Sequence, residues 1–307
     1  MDRWKQVWGA VLVVVAVAWA DPSRLQAQDG APSGPLVGAE WAAAHLNDSD
    51  LVILHVGDEE AYAGEHIPGA LFVSLMAISD PDSRSQSGLV LELPDPAALE
   101  LTLERLGISD DSRILVYAGG RSISAATRVM FTLDWAGLGD RAVLLDGGLG
   151  AWKTGGGAVT AEVPTVTAGD VTVRLREELV VDADWVRGHS ESEGYTVLDG
   201  RARRFYDGER EDRGKAGHIP GAGSLPIEEL FGTSGGFKSK TDLRALLAEA
   251  GVSPGDTVVA YCHIGQRAST VAFAARMLGH EVKLYDGSWE DWAARGLPAV
   301  KAPPGHR

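Results

Sequence analysis

Short, mainly apolar runs alternate along this chain with longer segments in which apolar residues recur every three or four positions. The runs are Leu51–Val56, Ile114–Tyr117 and Ala142–Leu145 in the first half, then Thr196–Asp199, Thr257–Tyr261 and Val282–Tyr285 in the second. Their length and continuity predict strands covered on both faces, as in a parallel sheet. Helical spacing covers Ala97–Leu106, Ile123–Ala136, Thr241–Ala250 and Ala268–Leu278. Gly107, Gly251 and Gly279 close three of these segments, glycine being the residue that ends a helix without strain. Such alternation predicts the α/β class: mainly parallel sheets flanked by helices on both faces and joined by right-handed crossovers.

The pattern occurs twice. His66-Ile-Pro-Gly-Ala70 returns as His218-Ile-Pro-Gly-Ala222, and Leu144-Leu-Asp-Gly-Gly-Leu-Gly-Ala-Trp152 returns as Leu284-Tyr-Asp-Gly-Ser-Trp-Glu-Asp-Trp292. Between these lies a strand, loop and helix in each half, at Arg113–Ala136 and at Thr257–Leu278. Three ordered matches in one register predict two domains of one architecture. Their expected extents are 36–157 and 179–303, joined across 158–178; the Gly-, Thr- and Ala-rich stretch Lys153–Asp170 marks the connection.

Met1–Ala20 adds a targeting expectation. Arg3 and Lys5 precede an almost wholly apolar Val7–Ala18, and Ala18-Trp-Ala20 fits a signal-cleavage site, with a second possible cut after Ala27. A signal peptide over 1–28 and a periplasmic or extracellular product are expected; a retained anchor is the alternative, although the run is short for a span of ~20 residues. The formal charge is −15, and removing Met1–Ala20, which carries one net positive charge, leaves −16. An acidic chain of this kind argues against nucleic acid or an anionic membrane as partner.

Candidate chemistry centres on Cys262, the single cysteine, which ends the strand Thr257–Tyr261 and precedes His263-Ile-Gly-Gln-Arg267 and a helix. In open α/β sheets, ligand sites lie off the carboxyl ends of the strands, where this thiol falls. An unpaired cysteine in an exported chain suggests a reactive thiol or intermolecular bonding, whereas an inert one belongs in the middle of an element. Backbone N–H groups of His263–Ala268, the helix dipole and the Arg267 guanidinium are expected to lower its pKa. Gly265 permits a turn closed to other residues, and Arg267 offers permanent charge to an anionic donor. His263 is expected to tune local charge rather than act as a base, and His66 and His218 to hold the turns before Pro68 and Pro220. Trp292, matched by Trp152, is expected to be structural, while Trp289, facing Leu149 in the repeat, is a candidate for the pocket wall. No cysteine–histidine spacing suggests a metal and no dinucleotide fingerprint follows a strand, so no cofactor is expected.

Taken together, the doubled His-Ile-Pro-Gly-Ala and Asp-Gly-x-x-x-x-Trp segments and the strand-Cys-loop-helix at Tyr261–Ser269 resemble a tandem-domain rhodanese, the thiosulfate and 3-mercaptopyruvate sulfurtransferase family. The resemblance covers nearly all of the chain beyond the leader. It implies a sulfurtransferase in which Cys262 takes a sulfane sulfur from a small anionic donor, carries it as a persulfide and passes it to a thiol, cyanide or a protein acceptor. Cys262 is then the catalytic residue, and His263, Ile264, Gly265, Gln266, Arg267 and Ala268 bind substrate and persulfide. Asp199-Gly-Arg201 matches the family's Asp-x-Arg; both residues join that set, chiefly as an ion pair beside the pocket. Ala118 stands where Cys262 stands, which implies a non-catalytic first domain, with Arg121 expected to be a solvated arginine and a cleft-lining one as the alternative. The chain also departs from the pattern. The place of a further substrate-binding arginine falls on Phe205, just after Arg203 and Arg204, and Cys-His-Ile-Gly-Gln-Arg is closer to single-domain bacterial loops.

Two rivals remain open at this level. Cys-x5-Arg phosphatases and arsenate reductases also place a thiolate at a helix start, but here the arginine comes one residue sooner, in a loop better sized for sulfur than for phosphate. A sulfur-carrier or redox-sensing module, loaded and unloaded by partner proteins, uses the same thiol without small-molecule turnover.

Overall fold

The computed structural model describes residues 34–120 and 123–302; the leader Met1–Ala20, both suggested cleavage points and Arg121 lie outside them. In the first domain β1 (Leu36–Val37), β2 (Leu51–Val56), β3 (Leu71–Val73), β4 (Arg113–Ala118) and β5 (Ala142–Leu145) form one parallel sheet in the order β1-β5-β4-β2-β3. The second domain repeats it. With β6 (Val180–Val181), β7 (Tyr195–Asp199), a hairpin of β8 (Glu211–Asp212) and β9 (Lys215–Ala216), β10 (Gly223–Ser224), β11 (Thr257–Tyr261) and β12 (Val282–Tyr285), its sheet runs β10-β7-β11-β12-β6. Leu115, Val116, Val258, Val259 and Ala260 are fully buried, as strands covered by helices on both faces require.

The domains meet through corresponding helices, Ile123–Trp135 and Ala268–Met277. Thr127 Oγ1 lies 3.0 Å from Ser269 Oγ and 2.9 Å from Thr270 Oγ1, and the Asp134 carboxylate bonds Arg276 at the far end. Each domain also inserts a backbone N–H into the other's Asp-Gly turn. Leu93 donates to Asp286 Oδ2 at 2.8 Å, and Phe237 donates to Asp146 Oδ1 at 2.8 Å.

The repeat diverges beneath the two loops. His55 faces Tyr117 in the register in which Asp199 faces Tyr261. His55 Nδ1 shares a 2.9 Å hydrogen bond with Tyr117 Oη, and its ring fills the space under Gly119, where a Cβ would lie 1.8 Å from Nε2. Gly57 stands where Arg201 stands, so this domain has a buried neutral ring in place of an ion pair. Burial, reinforced by the charge of His66, pushes His55 down to about 4. The unfolded chain takes up this proton near pH 6.5, whereas the folded chain refuses it until about 4. Stability is therefore complete above pH 6.5 and falls by up to about 3 kcal/mol as pH drops through that window. Urea unfolding across pH 7 to 4 should show this slope, and His55→Gln should flatten it.

Candidate active site

The strand β11 ends at Tyr261, and Cys262 turns the chain off the sheet into the loop before helix Ala268–Met277. The thiol is fully buried, and the N–H groups of Ile264, Ala268 and Arg267 point at its sulfur. Gly265, at φ +80°, lets the loop double back; a Cβ there would come within 2.7 Å of the Asp286 carbonyl oxygen. The expected depression of the thiol pKa is not what results. Burial pushes Cys262 above its ordinary value, the three N–H groups oppose this, and the Asp199 charge adds to the rise. The sulfur lies in a cradle of backbone N–H groups arranged for an anion.

Beneath the loop, Asp199 and Arg201 form a fully buried, multiply bonded pair, with Arg201 Nη2 2.6 Å and Nε 3.0 Å from the carboxylate oxygens. Tyr261 Oη donates to Asp199 Oδ2 at 2.7 Å, and Arg201 Nη2 also donates to the Gly217 carbonyl. The guanidinium lies 4.1 Å from the Trp289 ring, whose Nε1 donates to the Asp212 carbonyl. Neither Asp199 nor Arg201 offers an atom to a ligand arriving from solvent, and Trp289 is likewise internal rather than a pocket wall. They support the floor under the loop. Trp292 and Trp152 each donate Nε1 to a following carbonyl, those of Pro298 and Ala158. His66 and His218 bond the carbonyls of Tyr62 and Tyr206.

His263 is held rather than free in solvent. Its Nδ1 lies 2.5 Å from Asp212 Oδ2, and the Phe205 ring meets it edge-on at 4.8 Å. Despite its burial, Asp212 is kept below the usual carboxylate range by the His263 hydrogen bond and nearby arginines. Beside the loop opens a cleft of roughly 550 Å³ walled by Arg203, Arg204, Phe205, Glu228, His263 and Arg267. Arg267 is partnered there by Glu228 at 2.7 Å, and Arg203 more loosely by Glu229 at 3.8 Å. Arg204 lies 5.2 Å from the Phe205 ring and has no carboxylate partner among the described residues. Gln266 leaves the cleft and donates to Ser124 Oγ of the first domain, and Ile264 is half-buried.

In the first domain the matching position opens onto another cleft of roughly 550 Å³, lined by Ala118, Gly119, Gly120 and Lys153 among others, with no sulfur to react. Asp212, Ser288 and Asp286 are site residues that sequence reasoning passed over. Asp212 sits in an irregular polar stretch without a counterpart in the repeat. Asp286 was visible only as part of the doubled Asp-Gly motif. Among the described residues no three His, Cys, Asp or Glu side chains gather to hold a metal ion.

One thiol loop at the sheet's carboxyl edge, in the second of two matching α/β domains, defines a tandem rhodanese-fold protein. The rhodanese-like domain family model matches residues 38–154 and 182–295, and the chain belongs to that family. It is 35% identical over 275 residues to a probable 3-mercaptopyruvate sulfurtransferase of Pseudomonas aeruginosa, covering 85% of this chain and 95% of the relative. A putative thiosulfate sulfurtransferase of Synechococcus elongatus is 30% identical, covering 98% and 96% of the two chains. The sulfur carrier protein TtuD of Thermus thermophilus is 32% identical, covering 87% and 96%. Among solved structures, an anaerobic ergothioneine biosynthesis enzyme of Chlorobium limicola superposes with a TM-score of 0.77 at 23% identity, covering 88% of this chain and 71% of that one, a likeness of fold. The protein is a rhodanese-type sulfurtransferase, acting between a sulfur donor and an acceptor.

Proposed function

We propose that the protein moves a sulfane sulfur from a small anionic donor, thiosulfate foremost and 3-mercaptopyruvate second, through a persulfide on Cys262. The observation that carries this is a single sulfur ringed by three backbone N–H groups, beside a cleft walled by Arg203, Arg204 and Arg267. The thiol first loses its proton to water. The thiolate then attacks the outer sulfur of thiosulfate, the donor's S–S bond breaks and sulfite leaves with the electron pair. Cyanide or a thiolate attacks the terminal sulfur of the persulfide, and the Cys262 thiolate departs to close the cycle. The N–H ring stabilises the anion in both sulfur states without supplying a proton that would quench it.

Arg204 is the donor's anchor in this reading. The register that put Phe205 in the anchoring place needs to slip by only one residue, and Arg204 is the cleft guanidinium left without a carboxylate. Arg204→Ala should raise KM for thiosulfate roughly tenfold with kcat changed less, since a charged hydrogen bond is worth about 1.5–3 kcal/mol before solvent screening. Thiocyanate formation from cyanide, with each donor in turn, measures this and ranks the donors. Unchanged KM would remove Arg204 from the site.

A second reading is favoured by the buried sulfur, by the glutamates that neutralise Arg267 and Arg203, and by similarity to a protein named as a sulfur carrier. A protein-fed carrier would show Cys262 persulfide after purification with negligible turnover on either small donor. The leader supports export as a further part of the proposal, to be checked by N-terminal sequencing of the secreted chain.

A further inference from the structure

The segment Asp286–Glu290, at the start of helix Ser288–Ala294, backs the cysteine loop. Cys262 N–H donates to Ser288 Oγ at 3.1 Å, and the Trp289 and Glu290 N–H groups donate to the Cys262 and His263 carbonyls, each at 3.0 Å. Ser288 is fully buried and holds φ +50°, a left-handed conformation that side chains disfavour.

The other side of this segment is gripped by the domain that has no cysteine. Arg128, fully buried in helix Ile123–Trp135, donates Nη1 to Asp286 Oδ1 at 2.5 Å. Leu93 N–H reaches Asp286 Oδ2 at 2.8 Å, and Val90 N–H reaches Glu290 Oε2 at 3.2 Å. Arg128 Nη2 also holds the Leu91 carbonyl at 2.6 Å, and Leu91 is itself left-handed at φ +59°. A Cβ on Gly265 would lie 2.9 Å from Asp286 Oδ1 and 3.1 Å from Arg128 Nη1, so loop, carboxylate and guanidinium meet without slack. Arg128 Nε has no partner among the described residues. Adhesion between domains does not call for a buried guanidinium, an orphaned donor and a left-handed leucine, because apolar side chains would serve it as well. Fixing a geometry does.

We propose that Arg128 and the strap Leu89–Leu93 are positioning elements for Cys262, through which the cysteine-free domain holds Asp286 and Glu290 and thereby the backbone of the thiol loop. The inference rests on the sulfurtransferase reading only for its turnover measurement.

The test compares Arg128→Gln and Arg128→Lys with Arg276→Gln in the full chain, Arg276→Gln breaking a different inter-domain ion pair at the opposite end of helix Ala268–Met277. Thiocyanate formation, alkylation of the sole cysteine by iodoacetamide, and thermal unfolding are measured for each. Arg128→Gln should lower kcat roughly 10- to 100-fold, the loss typical of a misplaced reacting group, with KM within about twofold. Alkylation should move the other way, roughly tenfold faster, because a loosened loop opens more often around a buried sulfur. Arg128→Lys, which reaches one of the two acceptors, should fall between Arg128→Gln and the parent. Arg276→Gln should lower the unfolding temperature while leaving kcat and alkylation near those of the parent. Should Arg128→Gln fail to fold, the isosteric Asp286→Asn is expected to shift kcat and alkylation in the same directions. If kcat and alkylation in the Arg128 variants match those of Arg276→Gln, or if Asp286→Asn leaves both unchanged, the proposal is overturned. Alkylation decides the matter even if the parent turns over no small donor.

Discussion

Cys262→Ser should abolish sulfur transfer from either donor, a loss of about 1000-fold or more, as found when the nucleophile of a covalent mechanism is removed. The serine hydroxyl is nearly isosteric, but at neutral pH it does not ionise and has little affinity for sulfane sulfur. The N–H groups of Ile264, Arg267 and Ala268 would still be in place and would surround a neutral oxygen. The stability cost should stay near 1 kcal/mol, as for most single substitutions, because the site is polar on its loop side. Mass spectrometry of the parent after thiosulfate treatment should show the gain of one sulfur atom, absent from the variant. Turnover surviving in Cys262→Ser would show that sulfur does not pass through this residue, since the chain has no other cysteine.

The second large effect lies beneath the loop and concerns stability. Arg201→Met would leave the Asp199 carboxylate fully buried without its cation, and removing one partner of such a pair costs about 3–5 kcal/mol. In a domain of this size that lowers the unfolding temperature by roughly 10 °C. The double variant Asp199→Asn, Arg201→Met should recover much of the loss, because no uncompensated charge remains. A substrate-contacting Arg201 would behave differently, raising KM while leaving the unfolding temperature in place. Calorimetry alongside donor titration separates the two roles.

These expectations rest on parts of the molecule that the sequence disclosed unevenly. Strands such as Leu51–Val56, Thr257–Tyr261 and Val282–Tyr285 were legible to the residue, because burial on both faces demands mainly apolar runs. The edge strands β1, β6 and β10 have two residues each, too few to carry a period, and β3 has three. The place of Cys262 was legible from its position between a strand and a helix. Its full burial was not, because a chain reveals the N–H groups that follow a cysteine but not how completely the fold will close over the sulfur. The partner of His263 was hidden for a similar reason: Asp212 lies 51 residues away, in a hairpin with no counterpart in the repeat.

The helix Ile123–Trp135 is buried at 12 of its 13 positions and packs in part against a helix that the ribosome has yet to make. When the first domain emerges, Thr127, Arg128 and Asp134 lack their partners Ser269, Thr270, Asp286 and Arg276, and its apolar flank faces water until the second half arrives. The reciprocal contacts that hold the finished protein thus make its first half a dependent precursor. Splitting the gene at the repeat boundary would yield two insoluble pieces rather than two small rhodaneses.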